Sequence, residues 1–300
     1  MITSNRSQIW LGCLAGLLTA LIGASWQIVS RSAAITPLGP LELATLRYGL
    51  PALILLPVLW RVGLLPKGTS KGVLLIVVFS SGLPFGLLAF LGSRFAPAAH
   101  MAVMMVATGP LITATLLWLI ERKRIESMQA LSLGLIAISV MLLGAGSWQG
   151  GLTTWLGDAL FLLAALVWSG YGLAFRRSGL TPWQAAAVVN AWSALAVLPL
   201  ALIFGVSGFM QVDGPTLALQ ALWQGVIAGI FGLVTYTTAV RWLGAQAAAA
   251  FGALVPILAA WGGWWLLQEP LGWRVVIASS LAAAGMALAI GWVGYRGNLK

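Results

Sequence analysis

Charge is what this chain has least of. Only 7% of its 300 residues are charged, six of them acidic, and it holds a single histidine and a single cysteine. A lone cysteine, Cys13, excludes an intramolecular disulfide. One histidine with one cysteine excludes a His/Cys metal cluster, and no two acids are placed for glycoside or aspartyl chemistry. Two adjacent glycines, Gly150 and Gly151, lie between Trp148 and Trp155, but no phosphate-binding loop follows them. A nucleotide-binding domain is also missing, so an ATP-driven pump is excluded. Neither enzyme activity nor a cofactor is expected. The six acids, Glu42, Glu121, Glu126, Asp158, Asp213 and Glu269, all fall in loops or near the ends of apolar runs.

Apolar sequence fills the rest. The chain is 60% hydrophobic with a mean hydropathy of +0.98, more apolar surface than a soluble core can hide, which makes it a polytopic membrane protein. Its net charge of +10 is spread between apolar runs and reads as a topology signal rather than a nucleic-acid surface. The first run, 9–30, is too long for a signal-peptide core and has no clear cleavage site, so it is expected to persist in the mature protein. Ten spans are predicted near 9–30, 41–60, 72–93, 97–120, 127–146, 155–175, 183–206, 219–240, 246–268 and 273–293. With the N-terminus inside, twelve of the sixteen Lys and Arg residues face the cytoplasm. Arg31, Arg94 and Arg274 face out, and Arg47 lies within a span. Ten spans with both termini cytoplasmic is therefore the expectation.

The chain also repeats itself. LLTALIGASWQ from Leu17 resembles LLAALVWSGYG from Leu162, at an offset of 145. Thr36-Pro37 recurs as Thr181-Pro182 at 145, Pro110 as Pro256 at 146, and Glu121 as Glu269 at 148. The halves are 1–146 and 147–300, each with five predicted spans. An odd number of spans forces the second half to insert upside down.

The stretch Ala96–Glu126 concentrates the unusual residues. His100, Met104 and Thr108 fall at i, i+4 and i+8 on roughly one helix face, with Met101 and Met105 beside them. Such a face offers a titratable group, adaptable thioethers and a hydroxyl about 12 Å deeper, suited to a flat apolar body with a polar end. The same methionines could equally pack against neighbouring helices, with His100 at the interface. Pro110 and Pro256 each remove a helical hydrogen bond near mid-depth and are candidate hinges, or static bends. Arg47, about 9 Å into its span, could meet a carboxylate, pair with Glu42 or snorkel to the headgroups. Most of the sixteen tryptophans sit at span ends, where an interfacial belt accounts for them. Trp168, Tyr171 and Trp261 lie deeper and are candidates to line a cavity.

Two five-span halves, each with a mid-helix proline in its fourth span and a glutamate closing it, resemble the drug/metabolite transporter superfamily. The nearest branch is the EamA-type exporters, and within it the chain is similar to the YddG-type aromatic amino-acid exporters. The resemblance implies an all-α fold of ten transmembrane helices in two inverted five-helix repeats, placed in the inner membrane. It implies a central cavity lined by helices one, three, four, six, eight and nine. Those helices carry Trp26, Phe79, His100 to Thr108, Trp168, Tyr171, Tyr236 and the stretch 246–265. Small multidrug members of the superfamily carry a glutamate mid-way along their first helix, and here that span has no acid. Uncoupled passage is then the simpler expectation, with His100 left as a possible proton site. The implied activity is export of small metabolites, aromatic or bulky amino acids first, by alternating access. The ring would lie among the methionines, Trp168 and Tyr171, and the polar end would meet Thr108, His100 or Arg47. A broad drug or nucleoside/sugar exporter, uncoupled or proton-coupled, is the alternative, and a scaffold or sensor without flux is the reading from another class. Lipid and a small-molecule substrate are the expected partners. A duplicated ten-helix chain needs no second copy to enclose a cavity, so a monomer is expected.

Overall fold

A backbone in hydrocarbon must satisfy its own N–H and C=O groups, and a helix does so within one segment. The computed structural model of the chain describes residues 6–122 and 127–297, and among these no strand occurs. Six helices are long and apolar enough to cross a membrane: Ser7–Ile35, Lys71–Phe95, Ser127–Ala145, Leu152–Ser178, Pro182–Phe204 and Gly214–Gly244. A bent pair, Pro40–Ile54 and Leu56–Val62, passes the same test when joined. Three shorter apolar helices occupy Ala98–Ile112, Val255–Leu267 and Trp273–Leu288.

The packing is reciprocal. The first helix, Arg6–Ser32, lies along Leu233–Gly252 and Val255–Leu267 in the second half of the chain. Leu152–Ser178, the sequence counterpart of the first helix, lies along Lys71–Ser81, Leu83–Phe95 and Thr108–Glu121 in the first half. Ser127–Gly150 pairs with Trp273–Gly297, its own counterpart. Exchanging the two halves maps this contact pattern onto itself, as a twofold relation between them requires. Backbone geometry repeats as well. Arg122 and Gln268, 146 apart like Pro110 and Pro256, both take left-handed φ values, 52° and 54°, at the ends of their helices. The Thr-Pro pairs are a poorer structural match: Pro40 and Pro182 begin the corresponding helices, each with an acid or amide three residues into the turn returning to the cap N–H.

Several helices that the sequence renders as continuous are interrupted. The 41–60 span bends by 67° at Leu55, where Pro57 enters the second piece as an N-terminal proline. Lys71–Phe95 breaks at Gly82, whose neighbour Leu83 donates its N–H to Ser193 Oγ at 3.1 Å and whose carbonyl accepts from Tyr48 OH at 2.6 Å. Wide π turns run through Thr45–Gly49, Ala102–Ala107 and Ala221–Gly232. The first two immediately precede Pro51 and Pro110. A proline gives no N–H to the carbonyl four residues back and crowds it, and a wider turn relieves that crowding. Pro256 follows a two-residue turn at 253–254 and starts the next helix, so the bend expected at this position is a break just before it.

Candidate functional site

These interrupted segments come together around an aromatic row. Trp26 lies 5.9 Å from Phe85 between ring centroids, Phe85 lies 4.8 Å from Trp168, and Trp168 lies 5.2 Å from Tyr171 and 5.6 Å from Tyr236. Trp26 and Phe85 come from the first half of the chain, and Trp168, Tyr171 and Tyr236 from the second. Tilted rings at this spacing attract one another beyond their buried area. Tyr171 is wholly buried, and Trp168 and Tyr236 are partly so.

Trp26 is fixed from two sides. Its indole Nε1 donates to Gln224 Oε1 at 2.7 Å, and Gln224 Nε2 donates in turn to Ser30 Oγ and Gln220 Oε1, each at 3.1 Å. Over its ring sits the guanidinium of Arg47, 4.8 Å from the centroid, with Tyr48 on another side at 5.9 Å. Arg47 is 7% exposed, and among the described residues neither its Nε nor its Nη1 has a hydrogen-bond partner. That removes two of the three sequence readings of this residue. It does not snorkel, because it is buried. Nor does it pair with Glu42, whose carboxylate takes the N–H groups of Gly39 at 3.0 Å and Gly208 at 3.1 Å.

His100 is also committed. Its Nδ1 lies 2.9 Å from Asp158 Oδ1 with both residues buried, at 8% and 1% exposure. Gly157 lets the two helices close to this distance, since a Cβ there would stand 2.6 Å from that of Ala96. Asp158 does fall near a span end, as read from the sequence. Its burial against His100 reflects which helix it faces, and position along the chain says nothing of that. Met101, Met104 and Met105 are buried within the core. Thr108 returns its hydroxyl to the Met104 carbonyl, a bond that also serves the turn before Pro110.

Two candidates stand apart from the row. Trp261 is 55% exposed and packs edge-on to Trp264 at 5.7 Å, and Phe79 is likewise exposed. On an all-apolar helix such as Val255–Leu267 a lipid-facing tryptophan and a core tryptophan read alike. Of the stretch 246–265, the side chain of Gln246 lies outside the described residues. The sequence reading passed over Gln27, Gln220 and Gln224, all buried, although a glutamine within an apolar span is itself a signal. Gln27 falls on the helix face of Ala20 and Ala24, and neither atom of its amide has a hydrogen-bond partner. Among the described residues no group of three His, Cys, Asp or Glu could hold a metal ion.

Residues 10–145 and 155–291 each match the EamA-like transporter family. This chain belongs to that family. The family is one of membrane transporters, and the two matched stretches are two repeats of it along this chain. Over 132 residues it is 36% identical to an uncharacterized protein of Pseudomonas aeruginosa. That stretch is 44% of this chain and 45% of the relative, so the chain spans less than half of the relative's length. One crystal structure, described simply as that of a protein, is similar over 97% of this chain and 99% of its own, with a TM-score of 0.64. At 18% identity that likeness concerns the fold alone.

Proposed function

We propose that this EamA-like transporter exports small metabolites from the cytoplasm, aromatic or other bulky amino acids first among them. In this reading ten spans form two inverted halves, 1–146 and 147–300, in the inner membrane with both termini cytoplasmic, and a monomer suffices. The observation that carries the substrate class is the row Trp26–Phe85–Trp168–Tyr171–Tyr236, which crosses from one half to the other. A planar ring exchanging for one of these neighbours keeps its stacking while the halves rock against each other. Met101 and Met104, buried in the same core cluster as Trp26 and Phe85, supply thioethers that adapt to rings of different size. Pro110 and Pro256 start the helical segments that would tilt, each just after a wide turn or a break that can absorb backbone change.

The test is uptake of labelled tryptophan into proteoliposomes, with and without an imposed pH gradient. Saturable uptake competed by phenylalanine and indifferent to the gradient is the expected result, an uncoupled facilitator. No uptake above empty liposomes sinks the substrate class. The lone histidine, His100, bonded to the buried Asp158 carboxylate favours a second reading, proton-coupled export. Accumulation driven by the gradient, and lost in His100→Gln, selects it.

A further inference from the structure

The polar end of the cargo has three candidate partners in the sequence, and the structure leaves one of them unoccupied. Thr108 gives its hydroxyl to the Met104 carbonyl, and His100 is bonded to Asp158. Arg47 remains, buried, with Nε and Nη1 lacking any acceptor. A buried cation without a counter-ion is strongly unfavourable in a low-dielectric site, and the face of Trp26 compensates it only in part. Its surroundings are nonetheless built. Gln224 holds the Trp26 indole in place, the wide turn Thr45–Gly49 carries Arg47, and Gly229 admits the neighbouring helix close against the Arg47 carbonyl. A guanidinium positioned this firmly, with donors unused, is a receptor for an anion.

We infer that Arg47 anchors the carboxylate of the cargo, so that this transporter selects aromatic carboxylates and rejects the matching amines and neutral ring compounds. The inference rests on the exporter reading for the site's location and deepens it by naming the charged group recognised. The ring of the cargo lies along the row beginning at Trp26, and its carboxylate takes the free N–H groups of Arg47. Neutral drugs, nucleosides and sugars offer no such charge.

The experiment compares three probes that share an indole ring: tryptophan, indole-3-propionate and tryptamine. Each is tested for thermal stabilisation of the purified full-length protein and for competition against labelled tryptophan flux. The two carboxylates are expected to stabilise the protein, and tryptamine to require at least tenfold higher concentration. In Arg47→Gln the carboxylate effect should weaken at least tenfold, while ligand-free thermal stability is unchanged or raised, since an uncompensated buried charge has been removed. A merely structural arginine predicts the opposite, a less stable variant. Tryptamine binding as well as tryptophan, Arg47→Gln retaining affinity, or no stabilisation by either carboxylate overturns the inference. Failure of the broader reading looks different. Arg47-dependent binding of indole-3-propionate without tryptophan flux would leave the carboxylate site standing and remove the amino acid. Tryptophan flux undiminished in Arg47→Gln would do the reverse.

Discussion

At the end of the bundle where Arg31, Asp158 and Glu269 lie, helices are joined through carboxylates; at the end where Thr69 and Ser178 meet, they are joined through hydroxyls and carbonyls. At the first end Glu269 accepts from Arg31 Nε at 2.9 Å and from the Ala98 N–H at 3.1 Å, and Arg31 reaches the Ser93 carbonyl at 2.8 Å. His100–Asp158 and Glu42–Gly208 tie further helices there. At the second end Thr69 Oγ1 donates to the Ser178 carbonyl at 2.6 Å, and Trp192 Nε1 to the Leu64 carbonyl at 2.9 Å. A shallow pocket of about 310 Å³ also opens there, between Pro57, Val58, Arg61, Thr181, Trp183 and Gln184. Under the proposed topology Arg61, Lys67, Lys71, Arg176, Arg177 and Arg241 belong to this end, the cytoplasmic one. The contrast teaches that charge has two uses in this chain. Under that topology its bias at one end sets orientation, and at the other its pairing joins helices. Under the proposed topology the carboxylate-tied end faces out, a closed outer gate.

That comparison breaks most sharply at His100. His100→Ala takes one partner from the buried Asp158 carboxylate and is expected to cost about 3 kcal/mol, read as thermal unfolding in detergent. The variant is therefore unlike a simple loss of a ligand contact, which would cut flux and leave folding intact. Adding Asp158→Asn should recover part of the loss, and a double-mutant cycle showing no coupling would deny the pair its structural role. Glu269→Ala comes next, at about 2–3 kcal/mol, because it releases both Arg31 and the Ala98 N–H. It should also raise labelling of the outer end by membrane-impermeant reagents. Thr69→Val, at the other end, loses one hydroxyl bond and is expected to cost about 1 kcal/mol. A larger effect there than at Glu269 would reverse the contrast between the ends. The smallest effect belongs to Asp213→Ala, in the exposed link before Gly214–Gln220. The carboxylate accepts from the Thr216 N–H at 3.0 Å, and that bond holds its pKa below the ordinary value. A lowered folded pKa gives stability that is present above the unfolded value and lost as pH falls through the folded one. Wild type and Asp213→Ala should then differ slightly in melting temperature at neutral pH and converge below the ordinary carboxylate range, ~3.9.

Local features carried much of this protein into view. Pro110 and Pro256 mark where helices widen or restart, because the missing N–H and the ring act within one turn whatever the surroundings, whereas Pro51 and Pro57 do the same inside 41–60, which reads from the sequence as one unbroken span. The internal offset near 146 was legible from short matches, and left-handed caps at Arg122 and Gln268 repeat at the same interval. The central tryptophans at 26 and 168 and tyrosines at 171 and 236 were nameable one by one. Their order in a row was not, since stacking depends on the crossing of four different helices.

Composition by itself determined that the chain lives in a bilayer, and its family pattern determined what kind of protein it is. Only the tertiary structure decided the state of each polar group: Asp158 paired with His100, Glu42 spent on two backbone N–H groups, Arg47 with its Nε and Nη1 unpartnered among the described residues, Trp261 turned outward. The reason lies in the solvent. In water an amphipathic stripe announces which face of a helix is buried. In hydrocarbon both faces are apolar, so that signal fades, and the partner of a buried charge is set by whichever helix packs against it.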